Sequence, residues 1–375
     1  MTDGFAIYPS LKNRVVFITG GASGIGAEHV RQFAAQGAHV AFVDIADDAA
    51  AAVVASVESA DRRTDEGAEA SFHAARAAGQ PVRHAGGTGS RRAPDRRRYR
   101  SPGGSDGAER DPYVDGAFVM TDGFAVYPSL RDRVVLVTGG ASGIGAEHVT
   151  QFARQGAKVA FLDIADAAAA GLVETLRGGG LSPPLYLSCD LKDIAALQAA
   201  IAEVGRRLGP ITVLVNNAAN DQRHDYRDVT VEYWDERMAT NLRHQFFAIQ
   251  AVAPMMRAAG GGSIVNFGSI SWHTNNGGMP AYTTAKAGIE GLTKGMARDL
   301  GPDGIRVNCV IPGWIMTQRQ IDLWLTPEAE ENLLRAQCLK TKLVPADVTR
   351  MVLWLASDDS RMCSSQLWVV DGGRL

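Results

Sequence analysis

From residue 133 onward, seven short apolar runs alternate with longer stretches of helical composition, and this alternation confines the chain to one broad architecture. The runs span 134–138, 158–162, 185–188, 212–215, 263–267, 306–311 and 367–370, with helical composition over 145–156, 194–208, 231–256, 282–300 and 346–356. Strands joined by helices run parallel, and a parallel sheet needs both faces covered. About seven such strands in one domain predict an α/β fold, a doubly wound parallel sheet with helices on both faces.

Ahead of this region the chain repeats itself. Residues 1 to about 54 recur, with few substitutions, as 120 to about 173; both copies begin Met-Thr-Asp-Gly-Phe-Ala and carry Thr-Gly-Gly-Ala-Ser-Gly-Ile-Gly, at 19–26 and 138–145. A period near 119 residues that occurs twice is too long and too rare for a solenoid, and reads as a tandem partial duplication. The stretch between the copies is rich in Arg, Gly, Pro, Ala and Asp and lacks apolar periodicity. It cannot bury enough apolar surface to offset its ordering entropy. Its arginine runs at 91–92 and 96–98 lie among Asp95, Asp106, Glu109 and Asp111, which favours a solvated linker over a nucleic-acid tract. The expected organisation is a partial duplicate of the first β-α-β unit at 1–60, a disordered connector at 61–119 and a complete domain at 120–375.

A net charge of −3 over 375 residues implies neither nucleic acid nor an anionic membrane as partner. No apolar run reaches the roughly 18 residues of a membrane span, and no export signal is legible. Four scattered cysteines form no C-x-x-C pair and no zinc spacing, so the thiols read as reduced in a cytoplasmic protein with no metal. The expected partner is a small molecule.

Gly139, Gly143 and Gly145 follow the first strand of the main region and open a helix. Glycines there let backbone approach a pyrophosphate, and the helix N-terminus supplies free amides and positive dipole. Asp163, at the end of the next strand, is placed to bond an adenosine ribose 2′-hydroxyl and to repel a 2′-phosphate, which points to NAD. Further on, Tyr282 and Lys286 are four apart on one helix face. A tyrosine's ordinary pKa of about 10 is too high for a base near neutrality, and an adjacent ammonium would lower it. Taken alone, a Tyr-x-x-x-Lys pair is more often a half-buried tyrosine beside a snorkelling lysine. Ser269 ends a strand, at the edge of the sheet where open α/β folds bind ligands.

The glycine pattern from Thr138 to Gly145, the run Asn216-Asn217-Ala218-Ala219, Ser269 and the pair Tyr282 and Lys286 together resemble the short-chain dehydrogenase/reductase family, as does Pro312-Gly313 followed by Thr317. Ala219 departs from the glycine usual at that point of the motif. The resemblance implies a Rossmann-type fold with Tyr282 as general acid/base, Lys286 tuning it and holding the nicotinamide ribose, Ser269 orienting the substrate oxygen and Asn241 supporting a proton relay. It also implies that Ser142, Ile144, Asp190, Leu191, Asn217, Ala218, Pro312, Gly313, Ile315 and Thr317 line the NAD site with the glycines and Asp163. A homotetramer is the assembly it implies.

The runs Asn220-Asp221-Gln222-Arg223-His224, Asn241-Leu242-Arg243-His244 and Ser269-Ile270-Ser271-Trp272-His273 resemble the bacterial aldose 1-dehydrogenases of that family. This implies oxidation of an aldose, D-xylose or a related sugar, at C1 to the aldonolactone. A sugar needs planar hydrogen-bonding groups and an aromatic face, for which Asn220, Gln222, Trp272, His273 and Gln318 are the candidates. Two alternatives stand beside it: a dehydrogenase of another secondary alcohol, and a catalytically silent NAD-binding regulator. The first copy has Gly20, Gly24, Gly26 and Asp44 but no counterpart of Ser269, Tyr282 or Lys286, so it cannot complete a site. The continuous second copy is expected to take the shared place in the sheet, leaving the first loosely docked or disordered.

Overall fold

A computed structural model describes residues 5–61, 73–74 and 123–375. The described chain divides into two units, essentially the first copy and the region from 126 onward. In the first, β1 (Val15–Thr19), α1 (Gly24–Ala35), β2 (His39–Val43) and α2 (Asp47–Asp61) follow in order, and β3 (His73–Ala74) pairs with β2. The described part of the first copy is therefore a formed unit rather than a disordered one. Ala27, Val30, Val40, Phe42, Val53 and Val57 give it a small core of its own. Apart from Asp61 and residues 73–74, the connector 61–119 lies outside the described residues.

The second unit holds a seven-stranded sheet built from β4 (Val134–Thr138), β5 (Lys158–Asp163), β6 (Leu185–Ser188), β7 (Ile211–Asn216), β8 (Gly262–Phe267), β9 (Ile305–Pro312) and β10 (Leu367–Val370). Its order is β10-β9-β8-β7-β4-β5-β6 and every pairing is parallel. The helices are α3 (Gly143–Arg154), α4 (Asp166–Gly178), α5 (Ile194–Leu208), α6 (Val231–Met238), α7 (His244–Ala258), α8 (Pro280–Leu300), α9 (Gln318–Trp324), α10 (Pro327–Ala336) and α11 (Pro345–Ala356). The strand runs fall where the sequence puts them, within a residue at each end. The expected helix over 231–256 is instead two helices joined by a turn of π-helix at Ala239–Arg243. Helices α4, α9 and α10 had no part in the sequence reading. Among the described residues no helix is long and apolar enough to cross a membrane.

From β4 the chain winds outward to β6, returns to place β7 against the other side of β4, and then winds outward to β10. The reversal opens a crevice at the carboxyl ends of β4 and β7, the place where such sheets bind ligands. Side chains close this end of the sheet. Asn217, just after β7, donates its amide to the carbonyls of Thr138 at 3.0 Å and Gly139 at 2.9 Å, and the Ala218 amide donates to the Thr138 hydroxyl at 3.2 Å.

The duplication shows what neighbours do to a strand. Phe17 of β1 and Leu136 of β4 are repeat equivalents, yet Phe17 is 64% exposed and Leu136 is fully buried. β1 has a strand on one side only, whereas β4 lies between β5 and β7. Leu136→Ala should cost about 2–5 kcal/mol, and Phe17→Ala should stay within about 0.5 kcal/mol. Urea unfolding followed by far-ultraviolet circular dichroism reads the helices and strands of both units. A Phe17→Ala loss of stability as large as that of Leu136→Ala would contradict the exposed edge position of Phe17.

Candidate active site

A cleft of about 940 Å³ lies over the carboxyl ends of the strands. Its floor is the turn from β4 into α3. Gly139 has φ +67°, and a Cβ there would come within 2.8 Å of the Ala218 backbone; a Cβ on Gly145 would lie 1.9 Å from the Gly139 carbonyl oxygen. Only glycine allows the loop to fold this tightly over the helix start. Ser142 is the N-cap of α3 but its side chain makes no capping bond. Gly143 and Ile144 begin the helix. The exposed amides and positive dipole of such a start suit a pyrophosphate.

Asp163 ends β5. One carboxylate oxygen accepts the Ala141 amide at 2.9 Å, and the other accepts the amides of Ile164 and Ala165 at 2.8 and 3.0 Å. Those three bonds fix its orientation at the cleft edge and leave acceptor capacity. Asp190 and Leu191 line the wall beyond β6, and Asn217 and Ala218 line it beyond β7. Pro312, Gly313, Ile315 and Thr317 form the opposite rim, where Thr317 caps α9 by accepting the Gln320 amide. The residues named from sequence for a dinucleotide thus meet in one cleft, except that the exposed Gly143 and the buried Lys286 are not part of its lining.

The reacting end is built by β8 and α8. The Ser269 hydroxyl accepts the Ser271 amide at 3.1 Å and also bonds to the Tyr282 phenol, drawing its pKa down. Lys286 is 2% exposed, donates to the Phe267 carbonyl at 2.7 Å, and sits 5.6 Å from the centre of the Tyr282 ring. Burial lowers the Lys286 pKa to about 8, while the Cys309 thiol and the Asp221 carboxylate act to raise it. The expected lowering of Tyr282 is not what the site shows. Burial pushes the phenol above its ordinary value, the Asp221 charge adds to this, and only the Ser269 bond opposes them. The physical reason is geometric: the ammonium lies over the ring and gives its hydrogen bond to a backbone carbonyl.

Asn241 occupies the π turn and is fully buried. Its side chain accepts the Asn220 amide at 2.8 Å and donates to the Arg237 carbonyl at 3.0 Å. It holds the irregular helix and pins the loop after β7; π turns often accompany functional sites. Beside it His244, also fully buried, is held neutral by burial and by the Lys286 cation, with its pKa lowered to about 4.

The residues named for sugar contact divide. Asn220 lines the cleft, while Gln222, Trp272, His273 and Gln318 do not. Trp272 and His273 stack at 3.7 Å and both bond the same oxygen of Glu290 in α8, at 2.8 and 2.9 Å. Their aromatic and polar groups thus anchor the loop behind Ser269. Gln318 donates to Asp322 on the exposed side of α9, and Gln222 is exposed. In their place the cleft presents Asp221, Asn276, Trp314, Gln320 and Trp324. Asp221 had a legible signal, as an acid two residues past the Asn-Asn-Ala-Ala run, and Trp314 could be weighed from sequence only against core packing.

The arrangement can hold a dinucleotide along the strand ends and abstract a proton at Tyr282. It also links catalysis to stability. Lys286 has its pKa depressed in the folded state, so between about pH 8 and 10.5 the unfolded chain binds more protons and stability rises with pH. Lys286→Met should lack that gain. Unfolding by urea at about pH 7.5 and about pH 10 should show the wild type gaining about 2 kcal/mol relative to the variant. A parallel pH response of the two proteins would contradict the burial of a titrating cation here.

Comparison with known proteins agrees with this geometry. Residues 139–374 match the family model described as enoyl-(acyl carrier protein) reductase, and residues 14–85 separately match the short chain dehydrogenase model. A D-xylose 1-dehydrogenase from Caulobacter vibrioides is 52% identical over 66% of this chain and 98% of its own length. A probable galactose dehydrogenase from Rhizobium meliloti is 51% identical over 68% and 99%. The solved structure of a short-chain type dehydrogenase/reductase from Mycobacterium ulcerans superposes with a TM-score of 0.63 at 27% identity, covering 66% of this chain and 90% of that one. With a family model matched over more than half of its length and relatives above 50% identity covered almost whole, the chain is an oxidoreductase of the short-chain dehydrogenase/reductase family, whose members typically use a nicotinamide cofactor.

Proposed function

We propose that the chain is an NAD-dependent aldose 1-dehydrogenase, oxidising D-xylose or a related sugar at C1 to the aldonolactone. The observation that carries this is the Ser269 and Tyr282 hydroxyl pair in a cleft whose adjoining wall is polar, with Asn220, Asp221 and Asn276 beside it. The named activities of the Caulobacter and Rhizobium relatives support the same substrate class. Asp163 supports NAD: a carboxylate held by three backbone amides cannot swing away from a 2′-phosphate. A homotetramer formed through the long helices belongs to the same proposal, and sedimentation of the full chain reads it.

NAD bound along the strand ends supplies a hydride acceptor. The remaining chemistry is that of the chain. The anomeric hydroxyl of the sugar bonds to Ser269 and Tyr282, which fixes the C1–H and O–H bonds in one orientation. As the C1–H electron pair leaves, the phenolate of Tyr282 takes the hydroxyl proton and the carbonyl of the lactone forms. The sugar loses two electrons with the hydride, for which a bound nicotinamide would be the acceptor. Lone pairs of the ring oxygen share the positive charge that develops at C1. The Ser269 bond favours the phenolate, Lys286 would hold the nicotinamide ribose, and Asn241 keeps the loop that carries Asn220 in register.

The experiment is an assay of NAD reduction by the full chain with D-xylose, L-arabinose, D-galactose and D-glucose, with NADP and a simple secondary alcohol as comparisons. Turnover of an aldose with NAD is expected, falling at least about 10²-fold in Tyr282→Phe. Because the free phenol is held high, kcat/KM for oxidation should climb with pH into the alkaline range, since the base form is the active one. Turnover of the alcohol but of no aldose would replace the sugar reading with that of another secondary-alcohol dehydrogenase.

A further inference from the structure

Asp221 sits at a junction that the family's acid/base pair does not explain. It lies in the loop after β7 and lines the cleft, with its side chain 22% exposed. One of its oxygens accepts the Gln320 amide at 2.7 Å, and the other lies 3.5 Å from Arg319 Nε. Both partners belong to α9. A second tie joins the same two segments, with the Arg223 guanidinium 4.6 Å from the centre of the Trp324 ring. Gln320 is itself oriented by Trp314, whose indole donates to it at 2.8 Å. The carboxylate is therefore held in place from across the cleft and reaches the reacting end electrostatically, since its charge acts on both Tyr282 and Lys286.

We propose that Asp221 is the specificity residue for polyhydroxylated substrates, its carboxylate accepting hydrogen bonds from sugar hydroxyls other than the anomeric one. The inference rests on the aldose reading above and names the group that enforces it. A carboxylate offers about four acceptor sites. Gln320 and Arg319 engage two of them, which leaves room for a pair of ring hydroxyls. A substrate that carries such hydroxyls replaces the water it displaces. An apolar alcohol of the same size strands a half-buried charge beside Tyr282, a loss of the kind that hydrogen-bonding sites use to reject analogues lacking a hydroxyl. The indoles of Trp314 and Trp324 border the same space and suit the C–H face of a ring. Specificity would then come from a penalty against the wrong substrate as much as from attraction to the right one.

The test compares D-xylose with 2-hydroxytetrahydropyran, a cyclic hemiacetal that has the ring oxygen and anomeric hydroxyl of xylopyranose and none of its other hydroxyls. Full-length wild type, Asp221→Asn and Asp221→Leu are assayed with NAD, and NAD binding and thermal unfolding check that each variant is folded. The wild type should prefer xylose by about 10²-fold or more in kcat/KM, the range of bonds to a charged group. Asp221→Asn should narrow that preference at least about tenfold, chiefly through a higher KM for xylose, and Asp221→Leu should narrow it further. Asp221→Asn is close to isosteric, so it keeps the test decisive if the leucine variant misfolds. Aldose turnover with an unchanged preference in the folded variants would overturn the role of Asp221 and leave the aldose reading standing. A wild type that oxidises the plain hemiacetal as well as xylose would also overturn it. A wild type that oxidises no aldose would fell the reading and the inference with it.

Discussion

The site depends on a cation in a place that disfavours cations. Lys286 is almost wholly enclosed between α8 and the sheet, with its hydrogen bond given to the carbonyl at the end of β8. Desolvation brings its pKa to about 8, so near neutrality the fold holds a charge whose burial costs stability. The ammonium lies 5.6 Å from the centre of the Tyr282 ring, where water does not screen it, and it helps to keep the buried His244 neutral. Folds that keep such a group commonly trade stability for function.

Around that charge the sheet supplies rigidity and the loops border the cleft. The crevice exists because strand order reverses at β4 and β7, and Asn217 fastens the two strand ends so that the glycine turn and the loop after β7 share one geometry. Glu290, one helical turn beyond Lys286 in α8, anchors Trp272 and His273 and so fixes the segment that carries Ser269. Asp221 and α9 close the far side. Tyr282 and Lys286 stand on a helix, whereas Ser269 and Asp221 stand in loops held by bonds to the helices around them.

Much of this is legible before folding. The seven strands, the glycine turn, and the positions of Asp163, Ser269, Tyr282 and Lys286 are signalled by local pattern, because each is fixed by residues close in sequence or by a motif with a mechanical requirement. The parts that escaped are those set at a distance. Trp272 and His273 look like sugar contacts, yet Glu290, seventeen residues or more away, decides that they face α8. The pKa of Tyr282 turns on burial and on Asp221, neither of which helix spacing reveals. The two copies diverge as their different sequels imply: nearly the same strand is a buried centre in one and an exposed edge in the other, because only one has β7 beside it. The π turn at Asn241 likewise hides within a continuous helical composition.

Removal of hydrogen from C1 of a sugar is the most direct thing to measure. D-Xylose carrying deuterium at C1 is incubated with the full chain and NAD, and coenzyme and product are examined by mass spectrometry. Oxidation at C1 requires the reduced coenzyme to gain one deuterium, the lactone to lose it, and turnover to slow relative to unlabelled sugar wherever that transfer limits the rate. Reduced coenzyme without the label, with deuterium retained in the product, would place the chemistry at another carbon and contradict the aldose 1-dehydrogenase reading.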